Sequence, residues 1–119
     1  MQLGRLTTHV LDTARGCPAA GIELELWRVQ DAARTRVKGD RTNADGRLDT
    51  PLLDETSMRR GHYDLEFHTA AYFKAAGVTL SDPPFLDKIT IRFAIADPGQ
   101  HYHVPLLVSP WAYSTYRGS

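Results

Sequence analysis

The chain has 119 residues, a length suited to one domain, here residues 1–119, and its 42% hydrophobic and 24% charged composition is that of an ordinary globular protein. Fourteen Lys and Arg cancel fourteen Asp and Glu, so no basic stripe argues for nucleic acid and no acidic tail for a solvating role. No apolar run approaches the length that crosses a bilayer, and a neutral surface over a small core favours self-association.

The first residues, Met1 to Leu6, carry no apolar stretch of the kind that exports a protein. Cytoplasm is therefore the expected compartment, with the periplasm as the alternative where an export signal has been removed. Cys17 is the only cysteine, so no intrachain disulfide forms, which agrees with a reducing compartment.

Strict alternation begins at once. Leu6, Thr8 and Val10 alternate with Thr7 and His9, which predicts a strand with one buried face. Arg15, Gly16, Cys17 and Pro18 read as a turn. Ile22, Leu24 and Leu26 alternate with Glu23, Glu25 and Trp27 in a second strand. Residues 34–41 form a charged strand suited to a sheet edge. Asn43, Ala44, Asp45 and Gly46 make a hairpin loop with Gly46 left-handed, and Arg47 follows it directly. Tyr63, Leu65 and Phe67 mark a further strand.

Residues 69–76 break the rhythm. They are alanine-rich, with Thr69 as N-cap and Gly77 as C′ stop, and give about two helical turns that must dock on a sheet. Asp82-Pro83-Pro84 is a bend, and Ile89, Ile91, Phe93 and Ile95 form the next strand. Asp97-Pro98-Gly99 bends again before His101. Seven or eight strands with short turns and one short helix predict an all-β sandwich of two sheets.

Histidines are the candidate chemistry. His9 lies opposite Leu6 and Val10, and His101 and His103 share a face opposite Tyr102, Val104 and Leu106. The histidines at 62 and 68 read as structural or exposed, Trp27 and Trp111 as packing residues, and Cys17 lacks the local signature of a catalytic thiol. His9, His101 and His103 also meet the composition of a zinc site, at a spacing that permits ligation without specifying it; an adjacent Arg47 opposes a dication. The last residues, Tyr116, Arg117, Gly118 and Ser119, follow a run dense in aromatics, histidines and prolines. A terminus so rich in rings is expected to pack rather than fray.

Three blocks carry a resemblance to a known family. The first runs from Leu6 through Thr7, Thr8, His9, Val10, Leu11 and Asp12 to Gly16, then Pro18 and Ala19. The second is Thr42-Asn43-Ala44-Asp45-Gly46-Arg47. The third runs from Phe85 through Arg92 and Phe93, then His101-Tyr102-His103-Val104-Pro105-Leu106, to Ser109-Pro110 and the final Tyr116-Arg117-Gly118-Ser119. On these residues the chain resembles the transthyretin-related family of 5-hydroxyisourate hydrolases over nearly its whole length. The terminal tetrapeptide is the specific piece, because the hormone carrier transthyretin keeps the fold and lacks it.

The resemblance implies a transthyretin-like sandwich of two four-stranded sheets with one short helix. It implies a homotetramer with sites in a channel at the dimer–dimer interface, lined by His9, Arg47, His103, Tyr116, Arg117, Gly118 and Ser119. It implies 5-hydroxyisourate as substrate, hydrolysed at an acyl C–N bond of its six-membered ring to 2-oxo-4-hydroxy-4-carboxy-5-ureidoimidazoline, without cofactor or metal, nucleic acid or membrane partner. His9 and His103 would orient and deprotonate the water, either one being the base, and Arg47 would stabilise the oxyanion. Ser119 would bind through its hydroxyl or carboxylate, and Arg117 would hold the tail with Tyr116 packed beneath. A ligand carrier, a structural sandwich module and a zinc hydrolase are the competing readings.

Overall fold

The structure, a computed structural model, describes residues 4–119; the first three residues of the expected domain lie outside the described residues. Ten strand segments and one helix follow in chain order: β1 (Leu6–Thr7), β2 (Val10–Asp12), β3 (Cys17–Pro18), β4 (Glu23–Gln30), β5 (Ala33–Arg41), β6 (Gly61–His68), α1 (Thr69–Ala75), β7 (Lys88–Ile95), β8 (Tyr102–His103), β9 (Leu106–Val108) and β10 (Tyr113–Ser114). They make the two expected four-stranded sheets, ordered β10-β9-β2-β3 and β5-β4-β6-β7, with β1 and β8 as an added parallel pair.

The second sheet is antiparallel throughout, and its charged strand β5 does lie at an edge. Alternation decides which faces meet. Leu24, Leu26, Leu65, Phe67, Ile89 and Ile91 point inward from this sheet, against Val10, Leu106 and Val108 from the other and Leu6 from the added pair. Burying each such Leu or Phe contributes on the order of 2 kcal/mol.

The strand expected over residues 6–10 is present but interrupted. The Val104 and Leu106 N–H groups donate to the Thr7 and His9 carbonyls at 2.9 Å each, so a parallel ladder runs on across the break. At the break the buried Thr8 hydroxyl donates to the Val104 carbonyl at 2.7 Å, and Pro105 brings no N–H of its own.

Two local expectations are corrected. Cys17 and Pro18, expected in a turn, form β3 and pair with Asp12 and Leu11. Thr69 is not the N-cap: His68 holds that position without a side-chain capping bond. The Thr69 hydroxyl donates to the Asp87 carbonyl at 2.9 Å instead, tying the helix to the loop that enters β7. The helix stop is as expected, for the Gly77 and Val78 N–H groups close on the Lys74 and Phe73 carbonyls at 3.0 Å. No helix among the described residues is long and apolar enough to cross a membrane.

Beneath the first sheet, the buried Asp12 carboxylate accepts hydrogen bonds from the Arg15 side chain and the Tyr72 hydroxyl at 2.9 Å each. This fastens α1 to β2.

Candidate active site

Four extended segments lie side by side and assemble the site. They are the loop holding Arg47, the β1–β2 ribbon, the β8–β9 ribbon and the tail. The order is fixed by the His9–Arg47 bridge, the Thr7–His103 register of β1 on β8, and the His103–Gly118 bridge. Leu6, Val10, Tyr102 and Val104 are buried in the core, so period two turns Thr7, His9, His101 and His103 to the opposite face.

The Arg47 segment is held by its loop. Gly46 has φ +74°, and a Cβ there would lie 2.4 Å from the Val10 carbonyl oxygen, so a side chain would push the loop off the strand. The Val10 N–H donates to the Gly46 carbonyl at 2.8 Å. Asn43 Oδ1 accepts the N–H groups of Asp45 at 2.9 Å and Arg47 at 3.1 Å. His9 Nε2 stands 2.8 Å from the Asp45 carbonyl oxygen. A carbonyl only accepts, so this nitrogen carries hydrogen, and Nδ1 is the free acceptor when the ring is neutral.

A cleft of about 360 Å³ opens on this face, lined by Thr7, Arg47, His101, His103 and Ser119, with Arg5 and Asp49 also on its wall. His103 is half-buried there. Burial first, and then the positive charges of Arg47, His9 and His101, hold its imidazole below the ordinary value of 6.5. Thr7 Oγ1 lies 2.9 Å from His103 Nδ1 and 3.0 Å from His101 Nε2, bridging the two rings.

The tail is held by backbone rather than by its rings. His103 N–H donates to the Gly118 carbonyl at 3.1 Å, and Gly118 N–H returns to the His103 carbonyl at 2.8 Å. A Cβ on Gly118 would lie 3.0 Å from His103 Cβ, so the tail fits because it has no side chain there. Arg117 places its guanidinium 4.5 Å over the Tyr102 ring and donates to Gln100 Oε1 at 3.0 Å. Tyr116 is not packed beneath it but is 60% exposed. Trp111, expected as a packing residue, is 62% exposed and stacks on Phe85 at 5.8 Å.

Arg47, His103 and Ser119 thus share one cleft, with His9 paired to Arg47 at its side; Tyr116 and Arg117 line a separate hollow beside Phe93 and Tyr102. Among the described residues, the three-member group of imidazole and carboxylate ligands within 4.8 Å is Glu25, Glu66 and His68, on the other sheet, not His9, His101 and His103. Glu25 and Glu66 there already pair with Arg36 at 2.9 Å and Arg34 at 3.4 Å. The sequence reading missed Thr7 as a bridge and Asn43 as the anchor of the Arg47 loop. Alternation from Leu6 places Thr7 on the His9 face and was the available signal.

A model of the HIUase/transthyretin family matches residues 6–118. The chain is 55% identical to a 5-hydroxyisourate hydrolase of Ralstonia nicotianae, over 98% of this chain and all of the relative (100%). It superposes with TM-score 0.92 on a crystal structure of (S)-allantoin synthase at 47% identity, covering 98% of this chain but only 44% of that one. Sea bream transthyretin in complex with thyroxine superposes with TM-score 0.85 at 30% identity, covering 96% of this chain and 94% of that one.

Proposed function

The chain belongs to the HIUase/transthyretin family, and on that premise we propose that it is a 5-hydroxyisourate hydrolase of urate degradation. The observation that carries this reading is the convergence of Arg47, His103 and Ser119 on one cleft, with His9 bridged to Arg47. A carrier on the same fold has no need of two imidazoles and a guanidinium gathered around polar walls.

The reaction is attack of water on an acyl carbon of the six-membered ring, with cleavage of its C–N bond. Water must lose a proton as it attacks, and an imidazole kept neutral at pH 7 accepts it. His103 suits that task, because burial and the neighbouring cations oppose its protonation. Its Nδ1 is engaged by Thr7, which leaves Nε2 for the water. His9, whose Nε2 hydrogen is committed to the Asp45 carbonyl, orients that water through Nδ1. Arg47 balances the negative charge that develops on the carbonyl oxygen. Ser119 adds a hydrogen bond to substrate or water from the tail side.

The same reading makes the protein a homotetramer, with the cleft at the dimer–dimer interface. Phe85 and Trp111 support assembly, being 67% and 62% exposed although stacked on each other. Rings left to water in this way favour cover by another surface. The test is spectrophotometric. Freshly generated 5-hydroxyisourate should decay faster in proportion to added protein, and decay at the uncatalysed rate would reject the assignment.

A further inference from the structure

The Thr7 hydroxyl touches two imidazoles with one proton to give. Oγ1 lies 3.0 Å from His101 Nε2 and 2.9 Å from His103 Nδ1. A hydroxyl has one proton and two lone pairs, and among the described residues these two ring nitrogens are the partners of Thr7 Oγ1. The hydroxyl proton is used between the rings only when one facing nitrogen bears hydrogen and the other is bare.

Two arrangements satisfy this. In the first, Thr7 donates to a bare His101 Nε2 and accepts from His103 Nδ1–H; neutral His103 is then bare at Nε2 and can take a proton from water. In the second, His101 Nε2–H donates to Thr7, and Thr7 donates to a bare His103 Nδ1. Neutral His103 then carries its hydrogen on Nε2 and cannot act as a base there. Once His101 is protonated, both its nitrogens carry hydrogen and only the second arrangement remains. The first needs no hydroxyl rotation during catalysis, because His103 still donates from Nδ1 after Nε2 has gained its proton.

We infer that Thr7 is a positioning residue that fixes the catalytic tautomer of His103, and that His101 works through it as a proton-sensitive inverter. With His101 neutral, the Thr7 hydroxyl holds His103 as a base; with His101 protonated, the same hydroxyl turns His103 into a hydrogen-bond donor. Charged and titratable groups face the pair from every neighbouring segment. Arg5 lies two residues before Thr7, His9 two after it, Arg47 comes from the facing loop, and Arg117 stands beside His101 with Ser119. On the negative side, Asp49 brings a side-chain carboxylate to that cleft wall, its Oδ1 accepting from Asn43 Nδ2 at 2.9 Å, and Ser119 brings the terminal carboxylate.

This inference rests on the hydrolase reading for its consequence in turnover, but the tautomer itself is read without substrate. The experiment is ¹⁵N NMR of the imidazoles in the whole protein between pH 5 and 9, on wild type, Thr7→Val and Thr7→Ser, alongside kcat and KM. In wild type at high pH, His103 should show a protonated Nδ1 and a bare Nε2, and the pattern should invert as His101 titrates. Thr7→Val should lose the tautomer preference and lower kcat on the order of tenfold with little change in KM, and Thr7→Ser should restore both. A bare His103 Nδ1 in wild type at high pH overturns the proposal, as does a Thr7→Val protein with unchanged tautomer and kcat. A protein with the expected tautomer and no hydrolysis would instead count against the hydrolase reading.

Discussion

Gly118 and His103 exchange two backbone hydrogen bonds, at 2.8 Å and 3.1 Å, so the tail is bridged to the ribbon that carries the half-buried imidazole. The pairing sets the height of the imidazole and of Ser119 together. Gly118→Val places a branched side chain where a single Cβ already comes within 3.0 Å of His103. Turnover should fall on the order of a hundredfold, because a small displacement of reacting groups has that effect, while melting temperature changes little. Removal of residues 116–119 should abolish turnover with a similarly small loss of stability. Steady-state assays and thermal melts of both variants check this, and full activity without the tail would contradict it.

His103 gives the pH dependence its sign. Its imidazole lies below 6.5 through burial and then through Arg47, His9 and His101, so the acid limb of kcat/KM should fall below that value. Arg47→Met removes one opposing charge and should move the limb upward, while turnover drops roughly a hundredfold or more. A limb that stays fixed or moves down would separate Arg47 from His103. The same shift affects folding. The unfolded chain takes this proton more readily, so the contribution of His103 to stability is complete above 6.5 and declines as pH falls through that value.

Two buried carboxylates govern acid stability. Asp64 is held below 3.8 chiefly by the Arg92 hydrogen bond, with burial opposing and Arg34 assisting. For Asp12, burial pushes upward, but the hydrogen bonds of Arg15 and Tyr72 outweigh it and the net direction is also down. A depressed carboxylate stabilises fully above 3.8, and that contribution is lost as pH falls through the lower folded value. Asp64→Asn should lower the melting temperature at pH 7 by on the order of 5 °C and flatten the decline below pH 4. Calorimetry across pH 2–7 reads both, and a decline as steep as in the wild type would refute this role.

The exposed Phe85–Trp111 stack makes a prediction about assembly. Trp111→Glu places a charge on a ring surface that is 62% exposed in the single chain, so the fold should be retained while association is lost. Sedimentation velocity should show a tetramer for the wild type and smaller species for the variant. A variant that remains tetrameric would place the interface elsewhere.

Much of the fold was legible because alternation is a local signal. Leu24 and Leu26, Leu65 and Phe67, and Ile89 and Ile91 are inward pairs two residues apart, and each is buried as the pattern required. The Gly77 stop and the left-handed Gly46 were legible for the same reason, since glycine permits what the turn requires. Cys17 and Pro18 were misread because a two-residue strand has no period to detect; it forms only because Asp12 and Leu11 lie opposite. The terminal rings were misread because aromatic density says that apolar surface must be covered, not that the same chain covers it. Trp111 and Tyr116 remain open in the single chain.

The sequence by itself determined the two-sheet sandwich, the histidine-bearing face and the family resemblance, because backbone period and motif are written in neighbouring residues. It named His9, Arg47, His103 and Ser119 but left open how they meet. Only the tertiary structure decided that Thr7, 96 residues from His103 in the chain, shares one hydroxyl between His101 and His103. Parallel pairing joins strands that no short turn connects, so its register is decided by packing of the whole domain and not by any local stretch of sequence.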